Sequence, residues 1–414
     1  MRILVVSQYF WPETFRVNDL VCELEARGHD VTVLTGIPNY PDGSVLPEFR
    51  AARGAFDWYG STQVVRVPLL TRGRGGMRLL LNYVSFVISG SVLGTWRLRD
   101  RPVDVVFVFQ PSPVTSCIPA IVCAYFKNAP VILWTLDLWP ETLAAVGVVR
   151  APWLLTLVGQ VVRAIYLRCD LVLGQSRSFR GNIVRYSGDD SRFRYFPSWA
   201  DTVFATPSQT VRPAPELERL SPGGFNIVFA GNIGDAQDFP TILRAASLLR
   251  ERQDIRWLIV GDGRAAESVR AAIAARQLGS TVVLLGRHSL ERMPEFFRAA
   301  DALLVTLRRD PVFALTIPGK LQAYLAAGIP VLAALDGEGA AVIGEAQAGL
   351  VSPAGDATAL AANALTLAAL PAHDRAAMGA RGRAYCAREF DRATLVTQLE
   401  VFFRESVERY AAQS

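Results

Sequence analysis

The chain has 414 residues, too many for a single hydrophobic core, so two or more domains are expected. A hydrophobic fraction of 51% and a charged fraction of 20% indicate a globular protein. The net charge of +5 is modest. Without a concentrated basic stripe, it gives no support for nucleic-acid binding. Three histidines exclude a multi-histidine metal site, and five scattered cysteines without a C-x-x-C pair are interpreted as reduced core thiols of a cytosolic protein.

The first half alternates short apolar runs with helical stretches, which is typical of a parallel sheet covered on both faces. The predicted strands are Ile3–Ser7, Val31–Thr35, Val64–Val67, Val103–Phe109, Val131–Leu136 and Leu171–Gly174. The first of these is interpreted as a buried strand rather than a cleavable leader. Gly28 is expected to end the first helix in a left-handed conformation.

The segment 79–96 carries no charged residue and reaches the lower limit for a membrane span. Six arginines flank it: Arg72, Arg74, Arg78, Arg97, Arg99 and Arg101. Its Asn, Ser and Gly residues dilute the hydrophobicity, and basic residues at both ends give no inside–outside asymmetry. Three interpretations stay open: a helix buried against a sheet, an interfacial helix on anionic lipid, and a true span.

Residues 201–222 contain several prolines. This composition predicts a linker that follows a first domain of residues 1–200. The strand pattern then restarts in a second domain of residues 223–390. Its predicted strands are Ile227–Ala230, Trp257–Val260, Val282–Leu285, Ala302–Thr306, Val331–Ala334 and Gly349–Val351. Residues 391–414 predict one amphipathic helix that packs back on the N-terminal domain. Its apolar face comprises Leu395, Leu399, Phe402, Phe403 and Val407.

Two doubly wound domains leave a cleft, and ligands bind where the parallel strands end. In the second half, glycine turns follow three strands: Gly231-Asn232-Ile233-Gly234, Gly261-Asp262-Gly263 and Gly286-Arg287-His288. Such turns let a phosphate approach the backbone, although the G-x-G-x-x-G dinucleotide motif is missing. Lys320, one of only two lysines, starts a short helix after Pro318-Gly319 and suits an anion site. The alternative is a buried turn with an incidental lysine.

Polar and aromatic clusters follow the strands of the first half. They are Ser7-Gln8-Tyr9-Phe10, Phe15-Arg16-Val17-Asn18-Asp19, Pro38-Asn39-Tyr40-Pro41, Gln110-Pro111-Ser112-Pro113 and Asp137-Leu138-Trp139-Pro140-Glu141. Aromatic rings with amides and carboxylates suit a sugar-like ligand. The tryptophans also suit core packing. Asp137, between Trp134 and Trp139, fits either a tuned catalytic carboxylate or a helix N-cap.

These motifs together resemble the retaining glycosyltransferases of family 4, and the first half is similar to their WbuB- and WcaI-like branch for bacterial surface polysaccharides. The resemblance implies an α/β protein of GT-B fold with two Rossmann-like doubly wound domains. It also implies transfer of a hexose or an N-acetylated deoxyhexosamine, with retention, from a UDP-type nucleotide-sugar to a polyprenyl-diphosphate-linked saccharide in polysaccharide or lipopolysaccharide synthesis. The expected location is cytoplasmic, peripheral at the anionic inner face of the plasma membrane, with no metal or other cofactor.

The resemblance also assigns roles to individual residues. Asp137 and Lys320 are the expected catalytic residues. The expected donor-binding residues are Gly231, Asn232, Gly234, Gly261, Gly263, Arg287, His288, Lys320, Gln322 and Glu338. The expected acceptor-binding residues are Arg16, Asn18, Asn39, Tyr40 and Glu141.

The sequence departs from the family where two glutamates usually flank the Lys320 loop, because Leu315 and Ala323 occupy those positions. Gln322 or Glu338 would have to substitute for them. The histidine that many members place near the reacting sugar is also missing, and Asp137 stands in that region. Three alternatives stay open: a non-hydrolysing UDP-sugar epimerase, a phosphorylase-like enzyme with a Schiff-base lysine, and a non-catalytic subunit that binds nucleotide-sugar.

Overall fold

A computed structural model describes residues 1–41, 43–73, 76–204, 211–217 and 223–413 of the chain. The chain forms two compact units, Met1–Pro197 together with Ala393–Ser414, and Ser198–Arg392. Arg74 and the parts of the predicted linker at 205–210 and 218–222 lie outside the described residues. The described parts of the predicted linker belong to the second unit, where Phe204, Ala214 and Leu217 are buried in its core.

The first unit contains one sheet of eight strands in the order β3-β4-β2-β1-β5-β6-β7-β8, all parallel except the β3–β4 pair. Its strands are β1 (Arg2–Val6), β2 (Asp30–Gly36), β3 (Trp58–Tyr59), β4 (Thr62–Val67), β5 (Val105–Gln110), β6 (Val131–Thr135), β7 (Leu171–Gly174) and β8 (Phe193–Tyr195). The central strands β5 and β6 are buried at every position, as expected of a sheet covered on both faces. All six predicted strands are confirmed, and the short strands β3 and β8 were not predicted.

The helices of the first unit are α1 (Arg16–Ala26), α2 (Pro47–Ala51), α3 (Gly76–Ser89), α4 (Thr95–Arg97), α5 (Cys117–Lys127), α6 (Glu141–Ala145), α7 (Pro152–Tyr166), α8 (Phe179–Ser187) and, from the chain's end, α17 (Arg392–Gln413). Leu395, Leu399, Phe402 and Phe403 of α17 are buried. Glu400 accepts hydrogen bonds from Arg27 and His29 at the end of α1. Gly28 has φ of +82°, the left-handed conformation predicted for it.

The second unit contains a six-stranded parallel sheet in the order β11-β10-β9-β12-β13-β14. Its strands are β9 (Phe225–Ala230), β10 (Ile255–Val260), β11 (Val282–Gly286), β12 (Ala302–Thr306), β13 (Val331–Ala334) and β14 (Gly349–Ser352). The helices are α9 (Phe239–Leu248), α10 (Ala266–Ala275), α11 (Met293–Phe297), α12 (Pro311–Ala314), α13 (Gly319–Ala327), α14 (Glu338–Ala346), α15 (Ala357–Ala369) and α16 (Ala372–Glu389). All six predicted strands are confirmed, with two separate apolar clusters packed against the sheet.

The uncharged segment lies within a continuous helical stretch of 22 residues, Gly76–Arg97, in which α3 and α4 are joined by a π-helical turn at Gly90–Gly94. By length and composition it is the one helix in the described part of the chain that could cross a membrane. Its inner face is buried at Asn82, Phe86, Gly90 and Gly94. Its outer face comprises Met77, Leu80, Leu81, Val84, Ile88, Val92, Leu93 and Trp96, which are between 37% and 69% exposed. One face of this helix therefore packs against the first unit, and the other face is exposed.

Candidate active site

The parallel strands of each unit end at one side of their sheet, called here the carboxyl edge of that unit. At the carboxyl edge of the second unit, the loops after β9 and β10 touch through their backbones. Gly261 has φ of +147°, and a Cβ atom there would lie 1.9 Å from the carbonyl oxygen of Gly231. Gly231 has φ of +140°. Only glycine fits such an approach at these backbone angles, which explains why positions 231 and 261 are both glycine.

Gly263 and Asn232 extend the same contact. A Cβ atom on Gly263 would lie 2.4 Å from the carbonyl oxygen of Ile233 and 2.5 Å from Oδ1 of Asn232. The N–H of Ile233 donates to the carbonyl of Asp262 at 2.9 Å. A Cβ atom on Gly234 would meet the Asn232 amide at 2.6 Å. The structure therefore brings five of the predicted donor-binding positions into one backbone-lined group.

Lys320 joins this group from the first turn of α13. A Cβ atom on Gly231 would lie 3.2 Å from its Nζ, so the ammonium sits beside the glycine backbone. Nζ donates to Oε1 of Gln237 at 2.8 Å and lies 3.6 Å from the centre of the Phe229 ring. Burial lowers the pKa of Lys320 from 10.5 to about 7. An anion bound beside it would stabilise the charged amine and raise that pKa.

Gln322 and Glu338 were the proposed substitutes for the missing glutamates. Gln322 is fully buried, and with its amide turned so that the nitrogen faces acceptors it donates to the carbonyls of Pro318 and Gly319 at 3.1 Å, which holds the turn before Lys320. Glu338 begins α14 and is 9% exposed. A Cβ atom on its neighbour Gly339 would lie 3.1 Å from Pro318, which places the start of α14 against the Lys320 loop. Of the two, Glu338 therefore remains the predicted ligand-binding substitute, because it lies at the start of a helix beside the Lys320 loop.

His288 was expected near the nucleotide base. Its Nε2 lies 2.9 Å from the carbonyl of Leu285, and its Nδ1 lies 2.9 Å from the Arg292 guanidinium. Arg292 also forms two hydrogen bonds with Glu216, at 2.8 and 2.9 Å, and lowers the pKa of that carboxylate to about 2. Both ring nitrogens are therefore engaged. Together with Glu216 and Arg292, they form a cluster that holds residues 211–217 against the rest of the second unit. Arg287 is exposed and open to solvent.

At the carboxyl edge of the first unit, Asp137 follows β6. Its Oδ2 accepts a hydrogen bond from Nε1 of Trp139 at 3.1 Å, and the hydroxyls of Ser112 and Thr142 also bond to its carboxylate. Burial raises the pKa of Asp137, and these hydrogen bonds oppose the shift. The residue that precedes α6 is Pro140, with no side-chain cap, so Asp137 is not the N-cap of this helix.

The predicted acceptor residues occupy the same edge in different ways. Tyr40 is 40% exposed and presents its ring. Asn39 is fully buried, and Asn18 donates to the carbonyl of Glu13 at 2.7 Å. Arg16 lies 3.8 Å from Asp19, and Glu141 forms an ion pair with Arg185. Asn18 and Asn39 thus serve the shape of the loops, whereas Tyr40 presents its ring at the surface.

Sequence reasoning did not single out Glu13, the carboxylate that organises these loops. Its Oε1 accepts hydrogen bonds from the N–H groups of Asn39 and Tyr40, at 2.7 and 2.6 Å. Burial raises its pKa. The one signal in the sequence was an acidic residue among Trp11, Phe15 and other aromatics directly after the first strand. In the described part of the chain, no group of three or more His, Cys, Asp or Glu residues could hold a metal ion.

Two doubly wound α/β units in one chain are the architecture of the GT-B fold. The family described as glycosyl transferase 4-like domain matches residues 14–199, and the family described as glycosyl transferases group 1 matches residues 224–369. The chain belongs to this family of enzymes, the family 4 glycosyltransferases.

Individual relatives agree with that assignment. The chain is 25% identical over 340 residues to a protein of Escherichia coli K12 named as the colanic acid biosynthesis glycosyl transferase WcaI, covering 79% of this chain and 82% of the relative. Among solved structures, Anabaena HepE in complex with UDP and glucose has a TM-score of 0.68 at 14% identity, with 98% and 99% of the two chains covered. WaaG, a glycosyltransferase involved in lipopolysaccharide biosynthesis, has a TM-score of 0.64 at 16% identity, with 96% and 98% covered. These likenesses agree with a glycosyltransferase of this family.

Proposed function

We propose that this enzyme transfers a sugar, a hexose or an N-acetylated deoxyhexosamine, from a UDP-type donor to a polyprenyl-diphosphate-linked saccharide, with retention of configuration. The observation that carries the donor half is the position of Lys320 beside the touching backbones of Gly231 and Gly261. A diphosphate placed there would meet backbone groups at close range and one ammonium. The Anabaena HepE structures with UDP and with UDP-glucose support the choice of nucleotide.

The catalytic contribution follows from the same geometry. Departure of UDP places negative charge on the leaving diphosphate, and an ammonium in a partly buried site stabilises that charge more strongly than it would in water. Lys320 forms no ion pair within the described residues, so its charge is available to the ligand. Retention is implied by the family, with the leaving diphosphate assisting attack on the same face. Asp137, partly buried and hydrogen-bonded on its own loop, would orient or deprotonate the acceptor hydroxyl.

The acceptor half rests on the outer face of the helical stretch Gly76–Arg97. Tyr125 and Phe126, at the end of the adjacent α5, add two rings that are 80% and 68% exposed. The stretch contains no acidic residue, and basic residues flank it at both ends. An amphipathic helix of this kind lies in the headgroup region of an anionic bilayer, where a lipid-linked acceptor presents its reacting end. We therefore place the enzyme as a peripheral protein at the inner face of the plasma membrane, without a metal cofactor.

Mass spectrometry tests the reaction directly. Purified enzyme is incubated with each of a panel of UDP-sugars and a membrane lipid extract, and the products are searched for a lipid-linked saccharide one sugar heavier. Formation of that product together with UDP is the expected result. Conversion of the UDP-sugar into an isomer without an acceptor would indicate the epimerase instead, and no turnover with any donor would contradict the proposal.

A further inference from the structure

Arg72, which precedes the helical stretch Gly76–Arg97, has an unusual environment for an arginine. Its guanidinium carbon lies 5.0 Å from the centre of the Tyr40 ring and 5.7 Å from the centre of the Tyr9 ring. Burial raises the pKa of Tyr9 and of Tyr83, and the charge of Arg72 opposes both shifts, which places the guanidinium within electrostatic reach of both hydroxyls. The cation therefore sits in a tyrosine-lined site at the carboxyl edge of the first unit.

The backbone of Arg72 is held firmly in place. Its N–H donates to Oδ1 of Asn39 at 2.9 Å, and the N–H of Asn39 donates in turn to the buried carboxylate of Glu13 at 2.7 Å. Gly43 packs so closely that a Cβ atom there would lie 2.2 Å from the carbonyl oxygen of Arg72. Glu13 and Asn39 therefore act as positioning residues for the guanidinium.

The nitrogen atoms of this guanidinium form no hydrogen bond or ion pair with any residue in the described ranges. Arg66 of the same unit shows the contrast, because its guanidinium donates to the carbonyls of Gly36, Trp11 and Phe56. Arg66 is a structural arginine whose donors are used inside the fold. Arg72 keeps a planar set of donors for an external acceptor, and such a fork matches the oxygen atoms of a phosphate.

We infer that Arg72 binds the diphosphate of the lipid-linked acceptor and that the lipid chain follows the exposed apolar face of the helix that starts directly after it. This inference rests on the proposed function and names the head-group site that the function requires. Arg72 lies shortly before the helix that begins at Gly76 and within electrostatic reach of Tyr83 on that helix. The outer face of the same helix exposes the apolar side chains of Met77, Leu80 and Val84. An amphiphile with a phosphorylated head and a long apolar tail satisfies both parts at once.

The other end of the acceptor fits the same edge. The Tyr83 ring lies 6.2 Å from the Trp139 ring, and Ser112 bonds to the side chains of both Tyr83 and Asp137. Arg72, Tyr83, Ser112 and Asp137 therefore form a connected row. A diphosphate at Arg72 would direct its attached sugar along this row toward Asp137.

Farnesyl diphosphate is a soluble probe with the required head and a short prenyl tail. Its affinity is measured by calorimetry in the presence of saturating UDP, which occupies the donor site, with farnesol and inorganic diphosphate as partial probes. The wild-type enzyme should bind farnesyl diphosphate more tightly than either partial probe. Arg72→Gln should weaken that binding by about ten- to a hundredfold, as expected for loss of charged hydrogen bonds, and leave farnesol binding unchanged. Arg72→Lys should lie between the two, because it keeps the charge and loses the fork.

Arg99 provides the matched control, since its guanidinium also stacks on an aromatic ring, 4.6 Å from the centre of Trp96 at the far end of the helix. Arg99→Gln should leave farnesyl diphosphate binding unchanged. Equal affinity of wild type and Arg72→Gln, or no binding by the wild type, would overturn the inference. So would an equal loss of Arg72→Gln binding to phosphatidylglycerol vesicles, which would assign the guanidinium to bulk headgroups. Failure of the wild type to bind UDP would instead count against the proposed function.

Discussion

The carboxyl edges of the two units have the same place in their sheets and different construction. The second is lined by backbone: glycines whose positive φ angles and close approaches leave no room for a side chain, with one lysine beside them. The first is lined by side chains: stacked tyrosines and phenylalanines, a buried Glu13 that shapes the loops, and Asp137 held by an indole. Backbone-lined loops suit a ligand that is the same in every turnover, such as a diphosphate. Side-chain-lined loops suit a ligand whose identity varies among relatives, such as the acceptor.

The substitution Asp137→Asn should have the largest effect among the tests that separate the role of the first unit's edge from that of the second. If Asp137 acts on the acceptor hydroxyl, turnover should fall by about 10²–10⁴-fold while UDP affinity stays unchanged. In the wild type, turnover should rise with pH as Asp137 ionises above the ordinary carboxyl range, because burial raises its pKa. Steady-state kinetics and calorimetry on the same preparations measure both quantities.

Asp170→Asn is the matched control for that experiment. Asp170 is another partly buried carboxylate of the first unit with a raised pKa, but it precedes β7 at the opposite side of the sheet. Its replacement should lower the melting temperature and leave specific activity intact. Equal activity of Asp137→Asn and the wild type would assign Asp137 to structure.

Lys320→Met tests the edge of the second unit. Loss of the ammonium should weaken UDP binding by about ten- to a hundredfold, the range expected for charged hydrogen bonds. The other lysine supplies the control, since Lys127 donates to the carbonyl of Arg99 in the first unit. Lys127→Met should bind UDP like the wild type. Unchanged UDP affinity in Lys320→Met would remove the lysine from the donor site.

The same lysine predicts a pH dependence. Its pKa of about 7 in the free enzyme lies below the ordinary value of 10.5, so UDP binding should take up a proton between these values. UDP affinity should therefore decrease by up to about tenfold per pH unit above pH 7. Without UDP, the unfolded chain binds more protons in this window, and the contribution of Lys320 to the free energy of unfolding should rise with pH. Calorimetry in buffers of different ionisation enthalpy measures the uptake, which Lys320→Met should abolish.

Membrane binding should depend on the first unit and not on the second, and the expected change in vesicle binding is smaller than the changes above. Replacing Ile88 and Val92 by Ser removes two exposed apolar side chains from the helix and should lower co-sedimentation with anionic vesicles by about tenfold. Salt should weaken wild-type binding without abolishing it, because only the arginine contribution is screened. Leu248→Ser is the control, since Leu248 is 58% exposed in the second unit. Wild-type protein that stays in the supernatant with anionic vesicles would contradict the membrane proposal.

Much of this architecture could be predicted from the sequence, because continuous apolar strands and glycine turns are local signals. All twelve predicted strands are present, and the sequence also placed the glycines and Lys320 at one sheet edge. The two short strands could not be predicted, since a two-residue run such as Trp58–Tyr59 has no periodicity. The exposure of the helix after Arg72 also depends on which face the sheet covers, which composition alone does not encode.

The site was predicted less completely than the fold, for a physical reason. Glu13, Asn39 and Arg72 are far apart in the chain and are joined by two successive hydrogen bonds. No spacing rule in the sequence describes these contacts. Gln322 was a candidate substitute for a missing glutamate, yet helical geometry turns its amide back onto the carbonyls of the preceding turn. Polar residues that serve a turn and polar residues that serve a ligand have the same composition, and only three-dimensional contacts separate them.

The scarcity of lysine has a practical consequence for chemical labelling. A primary amine reacts with acylating reagents only in its neutral form, and at neutral pH an ordinary lysine is almost entirely protonated. Lys320, with a pKa of about 7, is about half neutral under the same conditions, and Lys127 is the only other lysine in the chain. Brief treatment with a small acylating reagent at pH 7 should therefore modify Lys320 ahead of Lys127, and UDP should protect it. The chain thus carries its own reporter of donor occupancy, readable by peptide mass spectrometry, which separates Lys320 from the N-terminal amine.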